Sequence, residues 1–257
     1  MNGRLSTPGP AAALVAVLAL TLTACTQDPD SRPSAAATSS STATSPTPSP
    51  SGTVVDATRL TKVASDDAPL APGRYALGFS SERADPPMVV LEVPAGYLGR
   101  GDGYEISAEE GGFRHLDTWT VAEVAARPCG GATWFDPGPT VRDLANALAA
   151  LPVWESTPPT PTTIGGHEGV VMELNLPAVL PAACGEEPSS WRDHHGSTQG
   201  VAAGKTQRLW IVDVDGQRLM MVVGYFPGPE GPSASTIEEL NRMVEGAVFV
   251  DADLVAP

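Results

Sequence analysis

Arg208-Leu209-Trp210-Ile211-Val212-Asp213-Val214, then Asp215-Gly216, then Gln217-Arg218-Leu219-Met220-Met221-Val222-Val223-Gly224-Tyr225, is the stretch that decides the fold. Two apolar runs rich in β-branched residues flank an Asp-Gly pair. That pair is favoured in type I′ turns, where both central residues need φ > 0. The stretch therefore reads as an antiparallel β-hairpin.

Outward from the hairpin, the preceding residues Gly185 to Lys205 are polar and without clear periodicity. They hold Trp191 and the pair His194-His195. Upstream, Val170, Met172, Leu174 and Leu176 alternate on one face of a strand that follows the turn Gly165-Gly166-His167-Glu168-Gly169. Before that, Asp136-Pro137-Gly138-Pro139-Thr140 is turn chemistry ending in an N-cap. Val141, Leu144, Ala145, Leu148 and Leu151 follow at helical spacing, and Thr140 with Asp143 forms a weak capping box. Asp117 to Val124 reads as a strand leading to Cys129. Gly73 to Phe79 and Met88 to Val93 read as two more, with Tyr104-Glu105-Ile106 as a short one. After the hairpin, Ser235 and Glu238 suggest a capping box for a helix through Val244, and Val248-Phe249-Val250 a last short strand. Hairpin-joined strands with two separated helices predict an α+β domain: a single antiparallel sheet flanked by helices.

The N-terminal part has other chemistry. Residues 1–24 carry Arg4 and an apolar run from Ala11 to Leu22, and Leu22-Thr23-Ala24-Cys25 spans their end. That is the layout of an export signal with a small-residue cleavage site. Cysteine at the first mature position makes it resemble a bacterial lipobox, which implies lipidation of Cys25. A spanning helix needs about 18 to 20 apolar residues, more than this run supplies. Residues 25–52 are the lipidated Cys and a tether of Ser, Thr, Pro and Ala, with nothing large and apolar to bury, and this composition predicts disorder. Residues 53–257 are long enough for one folded domain. The expected address is the cell membrane, lipid-anchored on its extracytoplasmic face.

The net charge is −15, and −16 once residues 1–24, with Arg4 their only charged side chain, are removed. That balance argues against nucleic acid as a partner. With Cys25 taken by lipid, Cys129 and Cys184 remain, and an isolated pair in an oxidising compartment usually forms a disulfide. The alternatives are a nucleophilic cysteine or a metal site. Neither cysteine has a second Cys or a His at ligand spacing to make a metal site specific.

A wider pattern runs through Val93-Pro94-Ala95-Gly96-Tyr97, Arg127-Pro128-Cys129, Asp136-Pro137-Gly138-Pro139-Thr140-Val141, Thr163-Ile164-Gly165-Gly166, Leu174-Asn175-Leu176-Pro177, Cys184 and the hairpin. Over residues 70–250 it resembles a group of uncharacterised actinobacterial exported or membrane-tethered domains. Tyr97 stands where that group usually has Trp, and the group supplies no catalytic residues to carry over. More distantly, the order of elements is similar to the PsbP-like α/β/α fold, which the resemblance makes the expected architecture.

For chemistry, His194, His195 and Glu186 are weak candidates for a metal site, because adjacent histidines point apart on an extended chain. Asp213-Val214-Asp215-Gly216 lacks the rest of a calcium loop, and no Gly-x-Ser-x-Gly elbow is present. His115 and His167 show no carboxylate partner at local spacing. No catalytic residue is assigned and no cofactor is expected. The favoured reading is a binding, interaction or sensor module for a small apolar ligand, a cell-wall component or a partner protein. Its recognition surface would be the loop holding Trp191, His194 and His195. The alternative is an envelope enzyme, in one form a metal-assisted hydrolase.

Overall fold

The structure is a computed structural model that describes residues 60–63, 67–80, 86–185 and 187–255. The chain divides into Met1–Gly52 and Thr53–Pro257, and every described residue lies in the second unit. Cys25, the tether and Glu186 lie outside the described residues.

In chain order the strands begin with β1 (Thr61–Lys62), β2 (Gly73–Leu77), β3 (Met88–Val93), β4 (Leu98–Arg100), β5 (Glu105–Ala108), β6 (Arg114–Trp119), β7 (Glu123–Arg127) and β8 (Thr133–Phe135). Helix α1 (Val141–Ala149) follows. Then come β9 (Glu155–Ser156), β10 (Thr160–Ile164), β11 (His167–Asn175), β12 (Ser189–Arg192), β13 (Thr198–Gly200), β14 (Thr206–Val214) and β15 (Gln217–Tyr225). Helix α2 (Ala234–Glu245) and β16 (Val248–Val250) close the domain.

These strands make three sheets. The central one runs β10-β11-β14-β15-β6-β5-β4 with β9 paired to β11; β1-β2-β3-β16 and β13-β12-β7-β8 are the other two. The expectation of a single antiparallel sheet flanked by helices, and of a PsbP-like α/β/α architecture, is therefore corrected. The two short helices α1 and α2 cannot cover both faces of an eight-stranded sheet, so small sheets share the task. On one face Trp210, Val212, Leu219, Met221 and Val223 pack with Leu77, Val89 and Leu91 of the first small sheet and with Leu240, Met243 and Val244 of α2. On the other face Val170, Met172, Leu174, Leu209, Ile211, Met220 and Val222 pack with Leu144, Ala145 and Leu148 of α1. Val124, Ala125 and Trp191 of the second small sheet complete that layer.

Local chemistry accounts for the central elements. The hairpin β14–β15 turns at Asp215 (φ 51°) and Gly216 (φ 78°), and the Gly216 amide donates to Asp213 Oδ1 at 2.8 Å. Thr140 caps α1 through the box expected of it: the Asp143 amide donates to Thr140 Oγ1 and the Thr140 amide to Asp143 Oδ2. For α2 the cap is Ser233, which accepts from the Thr236 amide at 3.2 Å, rather than Ser235. Residues 117–124 are not one strand. The chain leaves the central sheet after Trp119 and joins another at Glu123. The polar stretch Gly185–Lys205 is no simple excursion either: it supplies β12 and β13 and buries Ser190, Trp191 and Val201 completely.

Candidate functional site

Strand registry places the site. Residues paired across neighbouring strands point to the same face of a sheet. Met172, Leu209, Val222, Asp117 and Glu105 form one such row across β11, β14, β15, β6 and β5. The next row is Leu174, Gln207, Gly224, His115 and Ser107, and a third is Val170, Ile211, Met220 and Trp119. The same face is thus apolar under α1 and polar from β6 outward.

Over that polar half lies a cleft of about 400 Å³ whose lining includes Ser80, Tyr104, Glu105, Asp117, Trp119, Asp193, His195 and Gln199. Three of its lining residues are carboxylic acids, and none is Lys or Arg. Asp117 is 7 % exposed. Its Oδ2 accepts from Trp119 Nε1 at 3.0 Å, while its Oδ1 is buried with no protein hydrogen-bond partner. Burial, reinforced by the charge of Glu105, pushes this carboxyl up to about 7 against the Trp119 hydrogen bond. Glu105, the Cα partner of Asp117, is also raised by burial, with Arg100 opposing. Arg100 is itself engaged by Asp67 at 2.9 Å and Glu109 at 3.6 Å.

Behind the carboxyl pair, His115 Nε2 lies 4.0 Å from Asp117 Oδ2. Burial, aided by Lys205, holds the His115 imidazole well below its usual range, so it is neutral and the contact is not an ion pair. Lys205 lies with its ammonium 5.6 Å from the Phe113 ring centre. Burial lowers its pKa, opposed by Asp117, Glu105 and Glu187. Gly224 makes room for both: a Cβ there would sit 2.2 Å from His115 Cε1 and 2.9 Å from Lys205 Cε. Ser107 Oγ, both polar atoms of Gln207, Ser190 Oγ and Trp191 Nε1 are likewise buried without a protein partner. Unpaired buried polar groups are rare in native proteins, and each calls for a physical reason.

Asp193 plays a different part. Burial works to raise its pKa, but the Ser80 hydroxyl (2.6 Å to Oδ2) and the amides of Ser197 (2.8 Å) and His195 (2.9 Å) outweigh it, and the net shift is downward. Asp193 is thus a satisfied carboxylate that folds the β12–β13 turn over the cleft.

The residues singled out from the sequence are dispersed. Trp191 is fully buried and packs edge-on against Trp119, with ring centres 6.1 Å apart, so it offers no recognition surface. His195 lines the Asp117 cleft, whereas His194 lines another with Asp136 and Arg218. Among the described residues no three His, Cys, Asp or Glu side chains converge as a metal site. Cys129 and Cys184 are joined in a disulfide. The sequence reading sets His115 aside for want of a carboxylate partner at local spacing and takes Asp117 and Glu105 only as strand residues, although His115, Asp117 and Trp119 at alternate positions of one strand carry the signal.

No protein-family model matches the chain, and no curated protein matches it. Among solved structures it is similar to LpqN of Mycobacterium tuberculosis, described as involved in cell envelope biogenesis. The TM-score is 0.33 at 10 % identity, covering 69 % of this chain and 90 % of that one. A likeness at that level bears no weight on fold or function. No family match supports the PsbP-like resemblance. Among the described residues no helix is long and apolar enough to cross a membrane.

Proposed function

We propose that this chain is an extracytoplasmic binding module, anchored to the membrane through lipid on Cys25, that takes a small polar ligand in the Asp117 cleft. One observation carries the choice of site: a nine-tenths-buried carboxyl with an unpartnered oxygen, in the wall of a cleft open to solvent. Burying such a group costs free energy unless something hydrogen-bonds to it, and a ligand that does so offsets the cost only when bound. The polar lining turns the expectation of an apolar ligand towards a polar one. The address rests on the residues of Leu22-Thr23-Ala24-Cys25 and on the disulfide, which suits an oxidising compartment.

Native mass spectrometry of the lipoprotein extracted from its own host tests the reading. The wild type is expected to carry an adduct that Asp117→Asn lacks. An adduct shared equally by both, or absent from both, counts against the cleft.

A further inference from the structure

Resting on that reading, we infer that the ligand carries a primary ammonium group, which seats against the Asp117 and Glu105 carboxyl groups beside the indole of Trp119. The lining supplies the argument. Glu105 and Asp117 are direct cross-strand partners, so their side chains leave adjacent strands on the same face, a few ångströms apart. Trp119, two residues on from Asp117, is part-buried in the same lining and gives its Nε1–H to Asp117 Oδ2, which leaves Oδ1 as the oxygen without a protein partner. The third carboxylate, Asp193, is already saturated by Ser80, His195 and Ser197 and holds the rim. An anionic ligand would meet these carboxyl groups with no Lys or Arg in the lining to receive it.

The surrounding charges leave room for one more cation. From its own strand Asp117 meets neutral His115, and from β5 it meets Glu105. Lys205, just before β14, stands over the Phe113 ring and is shared electrostatically among Asp117, Glu105 and Glu187. From β4, Arg100 is held by Asp67 and Glu109. Lys62 of β1 lies 6.0 Å from the centre of the Tyr104 ring. From the β12–β13 turn come Asp193 and His195. Of the three cations outside the lining, Lys205 is shared among three carboxyl groups, Arg100 is engaged by Asp67 and Glu109, and Lys62 stands over Tyr104, while burial raises both carboxyl groups, Asp117 to about 7. An incoming ammonium ion completes the site by replacing the proton on Asp117. Binding at neutral pH then releases a proton and strengthens as the carboxyl ionises, by about tenfold between pH 6 and pH 8 for a group titrating near 7.

Isothermal titration of the mature lipoprotein in non-ionic detergent tests this. The probes are putrescine, Nα-acetyl-lysine amide and the neutral sugar N-acetylglucosamine, each at millimolar concentration. Buffers of different ionisation enthalpy report proton release. Putrescine or the lysine amide is expected to bind, with release of a fraction of a proton at pH 7 and an affinity rising about tenfold from pH 6 to 8. Asp117→Asn, which preserves shape, is expected to lose at least tenfold and to abolish the pH dependence; Glu105→Gln is expected to weaken binding while keeping it. Preference for putrescine points to a free amine, and preference for the lysine amide to an amine borne on a peptide. Binding of the sugar alone, indifferent to pH and sensitive to Asp117→Asn, overturns the ammonium assignment and leaves the binding reading standing. Binding of none of the probes, or binding unaffected by either variant, overturns the assignment.

Discussion

At the scale of residues, the cleft depends on a carboxyl group in an environment that disfavours its charge. Asp117 titrates at about 7 in the fold against an ordinary value of 3.8, so the folded state binds its proton more tightly than the unfolded state. Its contribution to stability is therefore full below pH 4 and lost as pH rises through about 7, a span on the order of 4 kcal/mol. His115, depressed by burial, has the opposite sign and costs stability as pH falls below its ordinary 6.5. The difference between wild type and Asp117→Asn isolates the carboxyl: in urea melts from pH 4 to 8 the variant is expected to gain on the wild type as pH rises. A flat difference would show that Asp117 is already ionised at low pH. Gly224→Ala drives a methyl into His115 and Lys205, and is expected to destabilise by about 2 kcal/mol or more and to disturb the cleft. The sequence held this site in plain alternation, His115-x-Asp117-x-Trp119. No carboxylate partner for His115 was recognised at local spacing, yet Asp117 stands two residues on, and a strand brings i and i+2 to one face. The Glu105 partner was out of reach, because cross-strand registry is not written locally.

At the scale of elements, the parts with self-contained chemistry were legible. Asp215-Gly216 needs only its own backbone to turn the hairpin, and Thr140 with Asp143 needs only three residues to cap α1. Thr140→Ala is accordingly expected to cost about 1 kcal/mol, measured by thermal unfolding. The helix start at Ser235 was misplaced by two residues. Ser233 and Ser235 are both competent caps, and the backbone reaches helical geometry directly after Ser233. The break between Trp119 and Glu123 is a tertiary event: the chain changes sheets there, and no turn residue announces it. The disulfide, read from cysteine arithmetic, ties the segment after β7 to the segment after β11 over a separation of 55 residues. Reduction is expected to lower stability by roughly 2–4 kcal/mol, with no free thiol at Cys129 or Cys184 in the unfolded, unreduced mature protein. Two reactive thiols would refute the bond.

At the scale of the whole molecule, the central sheet is covered on each face by one helix and one small sheet, and the cleft opens where the covered face turns polar. The sequence revealed the longer strands β2, β3, β11, β14 and β15, but not short ones such as β4, β8, β10, β12 and β13, nor how the strands divide among sheets, since partner choice across the chain is set by packing rather than by propensity. For the intact molecule, Cys25→Ala is expected to abolish membrane retention, and sedimentation of the mature variant with membranes after a high-salt wash would contradict lipid anchoring. The most direct measurement on the cleft is the ¹³C carboxyl shift of Asp117 followed against pH, with and without putrescine. The expected result is a midpoint near 7 that moves down when putrescine is present. A midpoint near 4 that putrescine leaves unmoved would contradict both the buried carboxyl and the ligand it is proposed to hold.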